Sequence, residues 1–493
     1  MKNLKLIPIL LLFCCYLRAD KIEELEAFIN RNRQIYEVPG VAVSVVKGND
    51  IILAKGFGET KLGSGDKVNE NTLFQLASVT KTFLAASLGW LKDQNKIDWE
   101  NEIRTFLPFF ALNEAYPTRY TNFIDLLTHR TGLPPFGGDL LGRLNYTSTE
   151  VLNRAQYIPL VSSFREKANY SNLGYFIAGE CVSALYGKPW QDCIRQELFI
   201  PLNMVKSGFS DHLNVPNVAL PHAKIDGKLQ VISFDTTGGF PAAGAITSTV
   251  KEMANWMILH LNQGNFKGKQ ILNSDTIHEM HKPRMPAEIS FSEAPPISDK
   301  TGFAFGLGWD CYQFACKKIV EKGGGLDGIR TIVTLIPELQ LGITVLTNRN
   351  LTLLPEAIRA KFLQLYVGNE DINEETFELI LKQGNELEKM VLPPSKPENY
   401  IPLKNTLETY SGEFESKIYG RFLLKVQNNE LVIHALEGNL KGKLIHYSNQ
   451  TFLLKWPYVN TGYQEVTFTV GPSGKAIKID TETLGTWTSV TNE

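Results

Sequence analysis

The order of strand and helix patterns along the chain constrains its fold most. Residues 41–58 are rich in β-branched residues and predict two strands around a turn at 48–50. The strand pattern returns at 303–348, after a mainly helical stretch at 121–260. Strands at both ends of a helical middle imply one sheet built from distant parts of the chain, with the helices forming a cap or a second lobe.

A different pattern begins after the proline-rich segment Pro393–Pro397. Residues 354–366 and 373–390 predict two helices before it, and short strands with turns follow it. We therefore expect a separate all-β module, a small barrel or a sandwich, at the end of the chain. The predicted divisions are a leader at 1–19, a two-lobed domain at 20–370, a helix and linker at 371–397, and an all-β domain at 398–493.

The first 19 residues have the pattern of a secretory leader. Lys2 and Lys5 form a basic start, and an apolar run of twelve residues follows at 6–17. This run is shorter than the roughly 20 residues of a membrane-spanning helix, so the sequence predicts an exported protein, periplasmic or secreted. The alternative is a membrane tether, through an uncleaved leader or a lipid on Cys14 or Cys15.

Charge and composition exclude several partner classes. Fifty Lys and Arg residues against 52 Asp and Glu residues give a net charge of −2, so no net field attracts nucleic acid or an anionic membrane. The eight histidines are scattered and have no zinc-ligand spacing with cysteine, so we predict no metal site. Cys311 and Cys316 enclose four residues of a predicted hairpin, where a disulfide and two free thiols are both open alternatives.

Ser78 and Lys81 are the first candidates for chemistry. A serine in the first turn of a helix lies near the positive end of the helix dipole, and a lysine three positions on shares its face. A lysine whose charge is disfavoured by burial and by other cations can be the base that a serine nucleophile needs. The same spacing recurs at Ser44–Lys47, Ser64–Lys67 and Ser248–Lys251, so this pair is not specific by itself.

Tyr170 and Asn172 are the second pair of candidates. A tyrosine near a lysine can hold its phenolate and pass a proton between the serine and a leaving group. The Asn172 amide can bind both a substrate carbonyl and Lys81. Tyr120–Asn122 and Tyr458–Asn460 repeat the spacing, so this motif gains weight only in combination with the others.

The third candidate is the run Lys322–Gly325, in which three glycines follow a basic residue at the end of a strand. Glycines let a substrate approach the backbone, whose N–H groups can point into a site. Lys322 adds positive potential that favours the Tyr170 phenolate and an anionic substrate. The alternative interpretation is a glycine-rich hairpin with an exposed lysine.

In this order, the three motifs resemble those of the penicillin-recognising serine hydrolases, in particular the class C β-lactamase-like branch with its carboxypeptidases, D-aminopeptidases and esterases. LLTHRTGLPPF at 126–136, LFIPLNM at 198–204 and FGLGW at 305–309 are similar to further family segments. The resemblance covers residues 25–365, and residues 400–490 resemble a β-barrel module that often follows such hydrolases. It implies an α/β (α+β) two-lobed β-lactamase-like fold, with an antiparallel sheet flanked by helices plus a mainly helical lobe.

The resemblance also implies roles for individual residues. Ser78 is the acylated nucleophile, and Lys81 with Tyr170 supplies the general base and acid. Water then releases the acyl group, and no cofactor is required. The implied substrate-binding residues are Asn172, Lys322 and Gly324, and the implied oxyanion hole consists of the backbone N–H groups of Ser78 and Gly325.

These roles predict an exported hydrolase of an amide or ester bond, acting on a small molecule or peptide, with cell-wall material as one candidate source. Gly323 stands where many β-lactamases and peptidases have a Thr or Ser that helps bind the substrate carboxylate. This departure favours peptidase or esterase activity over penicillin turnover, and Asp327 adds a negative charge near the predicted site. The alternative is a penicillin-binding sensor that is acylated without efficient turnover. The oligomeric state stays open.

Overall fold

Two helices before the barrel lie where the apolar spacing predicts them. The computed structural model describes residues 6–235, 239–287, 301–368 and 372–490. The predicted helices at 354–366 and 373–390 are observed with nearly the same bounds. The helices in the described ranges are α1 (Leu6–Ile35), α2 (Thr80–Asp93), α3 (Ala115–Tyr120), α4 (Phe123–Leu127), α5 (Ser148–Ala155), α6 (Asn172–Tyr186), α7 (Trp190–Ile194), α8 (Pro241–Gly244), α9 (Val250–Leu261), α10 (Ser274–Met280), α11 (Leu354–Tyr366) and α12 (Glu374–Met390).

The strands of the main sheet come from both ends of the first domain, as the sequence predicts, and further short strands lie between them. Together they are β1 (Gly40–Lys47), β2 (Asp50–Gly58), β3 (Phe74–Gln75), β4 (Gly208–Phe209), β5 (His222–Ile225), β6 (Lys228–Val231), β7 (Ile246–Ser248), β8 (Asn265–Phe266), β9 (Lys269–Gln270), β10 (Met285–Pro286), β11 (Thr301–Phe305), β12 (Asp310–Phe314), β13 (Lys317–Leu326), β14 (Ile329–Ile336) and β15 (Leu341–Thr347).

The main sheet has eight antiparallel strands in the order β10–β11–β12–β13–β14–β15–β1–β2. β1 pairs with β15 from Val41 opposite Thr347 to Lys47 opposite Leu341, which joins segments about 300 residues apart. The predicted antiparallel sheet of distant parts is therefore confirmed.

Helices cover both faces of the sheet centre, which explains why β1 and β15 are almost continuously apolar. Val43 and Val45 face a core shared with α1 and α11, whereas Ala42 and Val46 face the core on the side of α2 and α9. Because successive side chains of a strand point to opposite faces, one strand contributes to two cores.

Helix α2 is the central helix of the molecule and lies between the helical lobe and the main sheet. Eleven of its 14 residues are buried, and it contacts α6, α7, α8 and α10. The ring of Phe83 stacks on Trp256 of α9 with centroids 3.8 Å apart. The start of α2 consequently lies at the junction of the two lobes, and the predicted nucleophile, Ser78, lies just before it.

The C-terminal part forms a closed eight-stranded barrel, so the predicted choice between barrel and sandwich is settled in favour of the barrel. Alternate residues of its strands point inward, and the rings of Phe422 and Trp487 stack in its core with centroids 4.6 Å apart. Its strands are β16 (Gly412–Ser416), β17 (Gly420–Gln427), β18 (Glu430–Ala435), β19 (Lys441–Ser448), β20 (Thr451–Lys455), β21 (Gln464–Val470), β22 (Ala476–Thr481) and β23 (Gly485–Ser489).

Asp327, in the turn between β13 and β14, anchors the barrel to the first domain. Its carboxylate accepts the backbone N–H groups of Val459 and Asn460 at 2.7 and 2.6 Å. Both lie in the loop between β20 and β21. Asp327 is 7% exposed, so its negative charge is used in this contact rather than displayed to solvent.

Aromatic side chains add further contacts to this interface near the candidate site. The guanidinium of Arg143 lies 3.5 Å from the ring centroid of Tyr458. The hydroxyl of Tyr146 donates to the carbonyl of Tyr419, in the turn between β16 and β17, at 3.2 Å. The barrel thus packs against the segment 138–146 of the helical lobe.

The predicted leader at 1–19 overlaps α1, which runs without a break from Leu6 to Ile35, and residues 1–5 lie outside the described ranges. Within those ranges, no helix is both long and apolar enough to cross a membrane. Cleavage near residue 19 and the other domain divisions stay predictions.

The cysteine alternatives are resolved as free thiols. Cys181, Cys193 and Cys311 are buried, and Cys316 is exposed. The thiol of Cys311 donates to the carbonyl of His281 at 3.1 Å. The predicted hairpin that carries Cys311 and Cys316 is observed as β12 and β13.

Candidate active site

Ser78 lies in a single 3-10 turn, Ala77–Val79, that leads directly into α2. The residue before it, Ala77, has a left-handed backbone with φ of 50°. The carbonyl of Leu76 accepts the hydroxyl of Thr331 from β14 at 2.8 Å, so the main sheet holds this turn. Ser78 is thereby presented at the junction of the lobes rather than along a regular helix.

Lys81 brings the predicted motifs together. Its Nζ lies 3.1 Å from Ser78 Oγ and 2.8 Å from Asn172 Oδ1, and it donates to the carbonyl of Ala243 at 3.0 Å. The hydroxyl of Tyr170 donates to Ser78 Oγ at 3.0 Å. Two candidate proton carriers therefore meet at one serine oxygen, at distances that allow direct proton transfer.

Positive charge surrounds Tyr170. The Nζ atoms of Lys81 and Lys322 lie 5.0 and 5.1 Å from its ring centroid. Both distances are within the range of cation–π attraction. This arrangement supplies the positive potential that the sequence predicts around the tyrosine.

His129 supports Tyr170 and was missed by the sequence reasoning, which noted its segment only as a family resemblance. Its ring lies 4.4 Å from the Tyr170 ring, and its Nδ1 accepts the backbone N–H of Ser171 at 3.1 Å. Burial, and then the positive charges of Lys322 and Lys81, hold the pKa of His129 well below its ordinary value. The imidazole is therefore neutral and serves as an acceptor that fixes the strand-like segment before α6.

Lys322 is buried and has a protein carboxylate as a partner. It is 3% exposed, and its Nζ lies 2.9 and 3.2 Å from the two oxygens of Asp310. Asp310 follows the FGLGW segment, and nothing in its local pattern marks it as a site residue. The predicted contact between Lys322 and a substrate carboxylate stays a prediction, in which the substrate competes with Asp310 for the ammonium.

The glycine run lies against the nucleophile turn. β12 pairs with β13 only as far as Glu321, so the edge of β13 beyond it is not paired with β12. A Cβ atom on Gly324 would lie 2.5 Å from the oxygen of Leu76 and 2.9 Å from the nitrogen of Ser78. The absence of a side chain thus permits the close approach, while the oxyanion role of Gly325 stays a prediction.

Asp139 is a further residue that the sequence reasoning missed. Its Oδ2 accepts the side-chain N–H of Asn172 at 2.8 Å. Burial raises the pKa of its carboxyl to about 7, against the opposing effects of Asn172, Lys81 and Arg143. No sequence spacing links residue 139 to the three motifs, because it lies in a short 3-10 helix, Asp139–Arg143, that has no pattern in common with them.

Because a buried lysine lies beside a serine at the junction of the two lobes, the site is hydrolase-like. The Beta-lactamase family model matches residues 25–367, and the chain belongs to this family. A second model, described as a domain of unknown function (DUF3471), matches residues 396–489, which include the barrel.

Two curated relatives illustrate the similarity. Unguisins hydrolase ungD' of Aspergillus campestris (strain IBT 28561) is 28% identical over 340 residues, which cover 64% of this chain and 59% of that protein. Protein flp of Staphylococcus aureus (strain MRSA252) is 21% identical over 375 residues, which cover 74% of this chain and 70% of that protein. The chain thus spans less than two thirds of the length of the first relative.

Two solved structures share the fold. The octameric penicillin-binding protein homologue from Pyrococcus abyssi has a TM-score of 0.61 and 20% identity, and covers 94% of this chain and 99% of its own. SurE has a TM-score of 0.57 and 16% identity, and covers 96% of this chain and 100% of its own. These similarities confirm the predicted fold.

Proposed function

We propose that this protein is an exported serine hydrolase that cleaves an amide or ester bond through an acyl-enzyme on Ser78. The observation that carries the proposal is the convergence of Lys81 Nζ and Tyr170 OH on Ser78 Oγ, at 3.1 and 3.0 Å. The named hydrolase among its relatives supports the same reaction class.

In the acylation step, the Ser78 Oγ attacks the carbonyl carbon of the substrate while its proton passes to the Lys81–Tyr170 pair. The carbonyl oxygen becomes an oxyanion, which the N–H groups of Ser78 and Gly325 stabilise, each by about 3 kcal/mol. Collapse of this intermediate breaks the amide or ester bond. The proton held by the pair is delivered to the leaving amine or alcohol.

In the deacylation step, a water molecule gives a proton to the same pair and attacks the acyl carbon. The second oxyanion collapses, the bond to Ser78 Oγ breaks, and the proton returns to that oxygen. The sum is hydrolysis, with one water consumed and a carboxylic acid released. The Asn172 amide, which already bonds Lys81 at 2.8 Å, has a second N–H available to orient the substrate carbonyl.

Peptidase or esterase activity is proposed rather than penicillin turnover. Gly323 supplies no hydroxyl for a substrate carboxylate, and Asp310 already occupies the Lys322 ammonium. Both features weaken the binding of an anionic group beside the glycine run. The other candidate, a penicillin-binding sensor, shares the acylation step and differs only in slow deacylation.

Labelling of the purified protein tests this proposal. A fluorophosphonate and a labelled penicillin are added separately, and adducts are located by mass spectrometry. We expect an adduct on Ser78, and hydrolysis of nitrophenyl esters or D-amino acid amides that Ser78→Ala abolishes. Ser64→Ala, in the exposed Ser64–Lys67 pair of equal spacing, serves as the matched control and retains full activity.

Each outcome separates the candidates. Absence of an adduct on Ser78 with both probes would overturn the enzyme proposal. A long-lived penicillin adduct without hydrolysis of any ester or amide would establish the sensor instead. Export is tested by cell fractionation and N-terminal sequencing. We expect a mature chain that begins near residue 20. A leader retained in the membrane fraction would contradict cleavage.

A further inference from the structure

Asp139 is partly buried beside the candidate site, and only one of its two carboxylate oxygens has a hydrogen-bond partner among the described residues. Its Oδ2 accepts from Asn172 at 2.8 Å. Its Oδ1 is sealed from solvent and has no hydrogen-bond partner among the described residues. An isolated buried carboxylate oxygen is costly, so such a group calls for an explanation.

The Asn172 amide is held from both of its ends. Its nitrogen donates to Asp139, and its oxygen accepts from Lys81 Nζ at 2.8 Å. A lysine ammonium can only donate and an ionised carboxylate can only accept. A flipped amide would place N–H against the ammonium and oxygen against the carboxylate, so this pair of contacts selects one orientation.

We propose that Asp139 is a positioning residue that fixes the orientation of the Asn172 amide and, through it, holds Lys81 beside Ser78. The inference rests on the proposed function, because it assigns Asp139 a part in the acylation of Ser78. Asp139 makes no hydrogen bond to Ser78, so it acts through Asn172 rather than on the reacting atoms.

Groups from each neighbouring element act on Asp139. Lys81 of α2 and Arg143, four residues further along the chain, are the cations, and Asn172 of α6 is the hydrogen-bond donor. The Arg143 guanidinium also forms an ion pair with the carboxylate of Asp235 at 3.0 Å, so its charge acts on both carboxylates. Burial outweighs all three, so the pKa of Asp139 is raised to about 7 and its charge changes near neutral pH.

A tyrosine of the barrel lies near this carboxylate. Tyr419 of the barrel is 2% exposed, and its phenol is hydrogen-bonded to the backbone of Gly138. Burial and the nearby Asp139 both raise the pKa of Tyr419. A side chain of the barrel therefore lies close enough to Asp139 to interact with its charge, which couples the barrel to the site.

Ionisation of Asp139 controls how firmly the Asn172 amide is held, and therefore how Lys81 is placed. When the carboxyl is protonated it loses its charge and holds the Asn172 amide more weakly. When it is ionised the amide is fixed in the orientation that binds Lys81. The rate of acylation of Ser78 is accordingly expected to rise through an ionisation near pH 7.

The test measures the rate of fluorophosphonate labelling of Ser78 in the full-length protein between pH 5 and pH 9. Asp139→Asn keeps an acceptor of the same shape but does not titrate, so its profile loses the ionisation near pH 7. Asp139→Ala removes the acceptor, and we expect at least about tenfold slower labelling at pH 8. Glu180→Gln is the matched control, since Glu180 is a partly buried carboxyl of α6 with a raised pKa that bonds Ser148 instead.

A second pair of variants tests the role of the barrel. Tyr419→Ser admits more water to Asp139, so the ionisation in the labelling profile moves to lower pH by about one unit. Tyr419→Phe keeps the ring and should shift the pH of this ionisation less. An Asp139→Asn profile identical to wild type, or Asp139→Ala labelling within twofold of wild type, would overturn the inference. Failure of the wild type to label at any pH would instead overturn the proposed function.

Discussion

At the scale of single residues, the candidate site is held by backbone conformations that its residues do not prefer. Ala77, His129 and Phe136 have φ of 50°, 61° and 56°. Such conformations cost about 1–3 kcal/mol each and persist only where surrounding contacts impose them. Ala77 precedes Ser78, and the backbone N–H of Phe136 donates to the carbonyl of Tyr170 at 2.8 Å. The nucleophile and the tyrosine are therefore placed by tertiary contacts rather than by local preference.

Gly324→Ala should disable the site without unfolding the protein. The new Cβ would lie 2.5 Å from the oxygen of Leu76 and 2.9 Å from the nitrogen of Ser78, and backbone atoms cannot move aside as a flexible side chain does. We expect the rate of Ser78 labelling to fall at least about tenfold, because small displacements of reacting groups are costly. The measurement is the labelling rate at constant fraction folded.

Gly323→Ala is the matched control, because the nearest atom to its Cβ would be the oxygen of Thr331 at 3.9 Å, an ordinary contact. Its labelling rate should stay close to that of wild type. Equal losses in the two variants would contradict the close approach of Gly324 to the nucleophile turn.

At the scale of elements, β13 connects the two faces of the sheet. Lys322 and Gly324 face the site, while Glu321 points to the other face and contacts Arg359 of α11 at 2.7 Å. Arg359 is completely buried, so this ion pair ties the site strand to a helix on the far side. The alternation of side chains along a strand accounts for both roles.

The ion pair of Asp310 and Lys322, which joins β12 to β13, predicts a stability effect. Both side chains are less than a tenth exposed. Asp310→Asn leaves the Lys322 ammonium buried without its carboxylate, and we expect the free energy of unfolding to fall by about 3 kcal/mol. Urea unfolding measures this loss.

The double variant Asp310→Asn with Lys322→Met removes the charge as well and should recover most of the stability, though not the activity. Glu430→Gln, in the exposed pair with Lys443 on the barrel, is the control and should leave the unfolding midpoint unchanged. A single variant as stable as wild type would show that the pair is dispensable.

A pair of histidines between α9 and the end of α10 predicts loss of stability in acid. His260 Nδ1 and His281 Nε2 lie 3.0 Å apart and both rings are buried. Burial lowers the pKa of His260 to about 3 and that of His281 well below its ordinary value. The unfolded chain therefore binds protons below about pH 6.5 while the folded chain does not, so stability falls as the pH falls from 6.5 towards 3.

Between pH 7.5 and pH 5.5, each of these histidines should reduce the free energy of unfolding by about 1.4 kcal/mol. His281→Gln should reduce the pH dependence by that amount in urea titrations at the two pH values. His278→Gln, at an exposed position of α10, is the control. An unchanged pH dependence in His281→Gln would contradict the burial of a neutral ring.

Most elements follow from local patterns, with differences at their ends. The strands at 41–58 and the helix from residue 80 are observed where alternation and helical spacing predict them. The predicted helix start at residue 78 is instead a 3-10 turn, next to the Leu76 carbonyl that accepts a hydrogen bond from Thr331 of β14. Pairing partners such as β1 with β15 have no local signature, since they are selected only when the two segments share a core.

At the scale of the whole molecule, the barrel is part of the environment of the site rather than an independent appendage. Asp327 of the first domain holds the barrel loop from one side, and Arg143 contacts Tyr458 of that loop from the other. The same loop therefore connects the β13–β14 turn with the segment that carries Asp139.

Asp327→Ala should release this loop. Two hydrogen bonds to the N–H groups of Val459 and Asn460 are lost, which costs about 1–3 kcal/mol locally. Hydrogen exchange of these two amides should become at least about tenfold faster. Asn350→Ala, which removes only a side-chain contact with Asn460, is the matched control and should have a smaller effect. Equal exchange in both variants would contradict the anchoring role of Asp327.

The sequence by itself determined what depends on neighbours along the chain. The spacing of Ser78 and Lys81 predicted that they meet, strand patterns predicted the main sheet and the all-β module, and ordered motifs identified the family. Only the tertiary structure decided the partners of these groups, including Asp310 beside Lys322 and Asp139 beside Asn172. These contacts join residues far apart in the chain and follow no period, because they depend on how the lobes and barrel pack rather than on local conformation.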